Sequence, residues 1–145
     1  MALHPLPVQL SQLGSNTVGT AAIESVSYRT EGLLHLADWG FLLEWTTTQT
    51  TQRVSMVGEV GTDVKQLPKE SVEVPFEDVA SIRLVGWWHP RLEIRAKGLD
   101  VFAGVPGAQG VNVWLRVERR DRSLARAHAI EIGERAAAAD GELLE

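Results

Sequence analysis

The chain has 145 residues, of which 44% are hydrophobic and 23% charged, a balance that argues against disorder, collagen-like repeats and a membrane-embedded chain. At 15.9 kDa it fits one domain with a core of its own. The absence of cysteine removes disulfides, thiolate metal sites and cysteine nucleophiles, and fourteen Lys and Arg against nineteen Asp and Glu, a net charge of −5, argue against nucleic acid as a partner.

Residues 1–20 are rich in Pro, Ser, Gly and Asn without a sustained period and predict an irregular N-terminal arm. Their start lacks the basic region of a secretory signal. No window approaches the ~18 apolar residues of a membrane span, so a cytoplasmic protein is expected. Residues 22–30 carry a modest alternation that predicts a strand. A clearer hairpin follows: Leu34 and Leu36 lead into Ala37-Asp38-Trp39-Gly40, and Phe41, Leu43 and Trp45 share one face of the return strand. Gly40 is expected to supply the positive φ of that short turn. The uncharged run Thr46-Thr47-Thr48-Gln49-Thr50-Thr51-Gln52 suits either an exposed β edge or a loop, and residues 46–69 as a whole stay open between the two. Residues 71–74 read as a short strand ended by Pro75, with Glu77 and Asp78 in a turn. Residues 82–85 form another strand, which Gly86-Trp87-Trp88-His89-Pro90 links to residues 91–97. There Leu92, Ile94 and Ala96 point one way and Arg91, Glu93, Arg95 and Lys97 the other. Gly98-Leu99-Asp100 turns into 101–105, read as a strand, and Val111, Val113, Leu115 and Val117 alternate with Asn112, Trp114, Arg116 and Glu118.

From Asp121 the period changes to 3.6. Ala125, Ala129, Ile132 and Ala136 fall on one helical stripe flanked by Leu124 and His128, with Asp121 or Ser123 as N-cap and Asp140-Gly141 as the stop. The predicted fold is therefore α+β and mostly β. It is a curved antiparallel sheet or partly open barrel of about seven strands, capped by one C-terminal amphipathic helix. The organisation is an arm over 1–20, a single domain over 21–139 and a tail over 140–145.

Most candidate chemistry resolves into structural readings. His4, His35, His89 and His128 show no metal-ligand spacing, so neither a metal nor another cofactor is expected. The glycine-rich stretch 104–110 precedes a strand where a phosphate cradle needs a helix, and no nucleophile elbow is present; no enzyme is expected. The basic run Arg116, Arg119, Arg120, Arg122 and Arg126 is interleaved with Glu118, Asp121, Glu131 and Glu134, which predicts a salt-bridged helix start. The five Trp are the exception. Trp45 is in phase with the core, but Trp39 falls at a hairpin tip, Trp87-Trp88 at a strand end, and Trp114 opposite Val113 and Leu115. Trp114 could stack on Arg95 or Arg116 as a cation–π pair.

The order of elements resembles the pleckstrin-homology-like superfamily, including its bacterial and GRAM-type branches. The hairpin Gly32-Leu33-Leu34-His35-Leu36-Ala37-Asp38-Trp39-Gly40-Phe41-Leu42-Leu43, the passage Val74-Pro75-Phe76-Glu77-Asp78-Val79-Ala80-Ser81-Ile82 and the strand-to-helix passage 117–136 carry the likeness. It covers roughly residues 22–138. The resemblance implies a binding module. Its phosphoinositide-binding members carry Lys and Arg around the first hairpin, whereas residues 33–45 hold neither, so phosphoinositide or membrane binding is not expected. The expected function is non-catalytic binding of a protein or peptide partner through Trp87, Trp88, Arg95, Trp114 and Arg116, with self-association through a strand edge as a further use. The alternative is a β-barrel that binds a small molecule or lipid in a Trp-lined cavity.

Overall fold

The structure, a computed structural model, describes residues 3–18 and 22–144. Eight strands form one antiparallel sheet: β1 (Leu6–Val18), β2 (Ala22–Leu36), β3 (Gly40–Ser55), β4 (Val60–Gln66), β5 (Glu70–Pro75), β6 (Val79–Val85), β7 (Arg91–Ala96) and β8 (Asn112–Arg116). A single helix, α1 (Arg122–Leu144), follows. The sheet runs β4-β3-β2-β1-β8-β7-β6, with β5 pairing β3 beside β4. Both ends stay open, so the fold is mostly β with one terminal helix and does not close into a barrel.

Alternation builds the core. Leu6, Val8 and Leu10 of β1, Leu34 of β2, and Phe41, Leu43 and Trp45 of β3 are buried on one face. They meet Leu92, Ile94 and Ala96 of β7 and Val113 and Leu115 of β8. The helix covers this face through Ala125, Ile132 and Ala136. Its stripe of small residues brings it close to β6, where a Cβ on Gly133 would lie 3.6 Å from Ile82 Cγ2.

Several expectations are corrected. The irregular arm expected over 1–20 is a strand from Leu6 to Val18. Its two prolines disguise the alternation of Leu6, Val8 and Leu10. Pro7 lies opposite Leu33 of β2, and on its other flank β1 meets β8 only at Gln9–Arg116. Residues 19 and 20 lie outside the described residues. The undecided stretch 46–69 is strand: β3 continues through the threonines to Ser55 and turns at 56–59 into β4. The hydroxyls of Thr30 and Thr47, cross-strand neighbours on β2 and β3, are 3.0 Å apart.

Gly40 does not adopt a positive φ. A Cβ there would lie 2.0 Å from the Val74 carbonyl oxygen, so the glycine admits β5 rather than turning the chain. Residues 101–105 are not a strand. They belong to successive turns in which Val105 N–H donates to the Phe102 carbonyl (3.0 Å) and Ala108 N–H to that of Val105 (3.2 Å). The spacing of three sends Phe102 and Val105 into the core. Finally, α1 runs through Asp140-Gly141 to Leu144, so these residues neither stop the helix nor begin a separate tail.

Candidate functional site

The loop between β6 and β7 presents Trp87 and Trp88, 59% and 66% exposed. Gly86 makes the presentation possible. It turns the chain at φ +92°, and a Cβ there would sit 2.7 Å from the His89 carbonyl oxygen, so any other residue is strained and crowded. The far end of the loop is tied down by Val117 N–H donating to the Pro90 carbonyl at 2.9 Å.

Two arginines at the start of the helix, Arg119 in the turn before α1 and Arg122 as its first residue, lie against the indoles. The Arg119 guanidinium lies 4.0 Å from the centroid of Trp88 and 5.8 Å from that of Trp87. Arg122 lies 5.0 Å from Trp87 and donates to the Gly86 carbonyl at 3.4 Å. Cation–π attraction of this kind contributes roughly 0.5–1 kcal/mol per exposed pair. Here it also fixes rotamers that a binding partner would otherwise have to order. The salt-bridged helix start expected from the basic run is seen at Arg120, which pairs Glu118 at 2.7 Å. Arg119 and Arg122 serve the tryptophans instead. Their spacing, three residues apart at the start of the helix, was visible in the chain; their partners thirty residues away were not.

Trp114 and Arg116 stand on the outward face of β8, with Arg91, Glu93 and Arg95 beside them on β7. No cation–π stack forms on Trp114 among the described residues. It lies across from Glu93 instead. Glu93 accepts from Arg83 at 2.6 Å and lies 3.2 Å from Arg91, and chiefly the Arg83 hydrogen bond holds its carboxyl below the usual carboxylate range. Arg95 shares the face but pairs with Asn112 and Ser81, at the end of β7 away from the tryptophan loop.

Arg116 is where these parts meet. It lines three adjoining surface concavities: one of 420 Å³ with Trp88 and Arg119, one of 510 Å³ with Trp114 and His89, and one of 470 Å³ that crosses β1, β2 and β3. The last ends at Glu44, which accepts from His35 at 2.9 Å and pairs Lys69 at 3.0 Å. The His35 bond, then Lys69, lowers its carboxyl from the ordinary value. The furrow thus offers aromatic faces, free guanidinium edges and anchored carboxylates. Trp45 also lines this last concavity, although it is almost wholly buried in the core, and its indole N–H donates to Glu70 at 3.2 Å.

Among the described residues no three His, Asp or Glu side chains cluster as a metal site, and no helix is long and apolar enough to cross a membrane. The fold and the site define an open, helix-covered antiparallel sheet with an outward Trp–Arg surface. In comparisons with known proteins, no family model, no curated protein and no solved structure matches the chain.

Proposed function

We propose that this chain is a non-catalytic interaction module of pleckstrin-homology-like build that binds a protein or peptide partner through Trp87, Trp88 and Arg116, with Trp114 and Arg95 on the flank of the same surface. The carrying observation is the pair of exposed indoles held in place by Arg119 and Arg122. Rigid Trp beside Arg is the composition that dominates protein interfaces, because a large face is desolvated at little entropic cost. The furrow centred on Arg116 accommodates a chain with both acidic and basic side chains.

The test is capture from native extract on the immobilised protein, comparing wild type with Trp88→Ala/Arg116→Ala and with Trp114→Ala/Arg95→Ala. A protein retained by wild type should fall at least about tenfold with the first variant, while melting temperatures stay together. Unchanged capture by both variants, or capture lost only in step with stability, would refute the reading. Trp fluorescence that responds to fatty acids and not to protein would move the surface to a small-ligand role.

A further inference from the structure

The edge strand on the β3 side, β4, stands at the opposite end of the strand order from β6 and β7, whose connecting loop carries Trp87 and Trp88. All seven residues of β4 are exposed. β4 pairs with β3 in an unbroken register from Thr48–Gln66 to Val54–Val60, and no element among the described residues covers its other flank. Sheet edges are ordinarily guarded by proline, by a bulge or by a covering element. The opposite edge is: the register slips between Val79 and Ser81 of β6, and α1 packs alongside. Within Val60–Gln66 β4 has no proline, bulge or covering element, and its only guards are the charges of Asp63 and Lys65.

The arm that carries this edge extends beyond the core. In residues 46–69 no side chain is buried. Of the eleven exposed large hydrophobic residues among the described ones, five lie here, Val54, Met56, Val57, Val60 and Val64, and a sixth, Ile23, lies beside them on β2. Ile23 pairs Val54 and Val54 pairs Val60, so three of them form one row across three strands. Val64 is on the same face as Val60, four residues along β4.

We infer that β4 pairs antiparallel with β4 of a second copy of this chain about a two-fold axis at Val64, joining the two sheets edge to edge. Charge selects the occupant and the register. Full overlap of the seven residues would centre on Asp63 and set two carboxylates opposite each other. Moving the axis one residue, to Val64, sets Asp63 against Lys65 of the second copy and Lys65 against its Asp63. Val64 then meets Val64, and Thr62 meets Gln66. Opposite residues in an antiparallel pair share a face, so this register keeps the apolar rows of both copies on one side. A two-fold arrangement counts each favourable pair twice.

The experiment is light scattering behind size exclusion on the full chain, over a series from about 10 µM to 1 mM, where mass action reveals a dimer. Wild type should rise from 15.9 kDa towards twice that mass. Asp63→Lys and Lys65→Asp should each weaken association at least about tenfold, since each places like charges together twice. A mixture of the two single variants should dimerise again, which also shows that both are folded. The double variant Asp63→Lys/Lys65→Asp should associate as wild type does. Trp88→Ala should dimerise normally, which separates this edge from the partner-binding surface. A wild type that stays at 15.9 kDa throughout, a dimer indifferent to Asp63→Lys, a mixture that fails to associate, a double variant that fails to associate, or a dimer abolished by Trp88→Ala would overturn the assignment.

Discussion

Alanine at Gly40 should destabilise the fold through a collision rather than through backbone strain. The added Cβ would lie 2.0 Å from the Val74 carbonyl oxygen and 2.7 Å from Pro75 Cα. Real Cβ contacts essentially never fall under 3.0 Å, so β5 must retreat by at least about 1 Å. It cannot do so alone: Phe41 and Val74, cross-strand partners next to the glycine, are both fully buried, and Phe76 N–H donates to the Trp39 carbonyl at 3.1 Å. Overpacking of this kind costs about 1–3 kcal/mol, and strain against backbone, which cannot rotate away as a side chain does, places Gly40→Ala at about 3 kcal/mol. The lower entropy of the unfolded alanine chain offsets about 0.5 kcal/mol. The net loss, about 2.5 kcal/mol, corresponds to a fall of roughly 8 °C in Tm for a chain of this size. Urea denaturation and calorimetry would measure it, with Gly61→Ala as the control, since a Cβ there meets nothing within 4 Å. Two results would refute the reasoning. One is a Gly40→Ala protein as stable as wild type. The other is a Gly40→Asn protein clearly more stable than Gly40→Ala, because asparagine relieves a left-handed backbone but not a collision.

Two further predictions concern the core. His128 is fully buried, its Nε2–H donates to the His4 carbonyl at 2.8 Å, and its Nδ1 has no partner among the described residues; burial, the main cause, holds its pKa below the ordinary 6.5. The unfolded chain therefore takes up a proton that the folded chain refuses, so stability should decline as pH falls from 7 through the ordinary histidine range towards 5. His128→Gln should flatten that decline in Tm, and a variant with the wild-type slope would count against it. Glu44 and Glu93, whose carboxyls are held below the ordinary 4.5, contribute stability that is lost only at lower pH, outside this window. Phe102→Ala should cost about 3–5 kcal/mol in urea denaturation, whereas Leu99→Ala, 74% exposed in the same turns, should stay within about 0.5 kcal/mol. Equal effects would show that the turns do not plug the core.

Local pattern carried much of this structure. The alternation of Leu92, Ile94 and Ala96 against Arg91, Glu93 and Arg95, and the stripe of Ala125, Ile132 and Ala136, are periodicities that burial on one face imposes on any strand or helix. They were enough to determine the mostly β class, the hairpin around Trp39 and the single terminal helix. They could also nominate Trp87, Trp88 and Trp114 as aromatics with no place in the core. What pairing decides was not legible. The Thr-rich run is strand because β2 and β4 flank it, β1 is strand because β2 aligns Leu6 with Leu34, and Gly40 is glycine because β5 arrives from thirty residues away. The same holds for the site. Arg119 and Arg122 read locally as charges on a helix start, and only the folding of β8 against the β6–β7 loop turns them towards the tryptophans. A residue's own neighbours set its period and its turn chemistry. Its contacts across the sheet depend on strand order, which no single segment encodes.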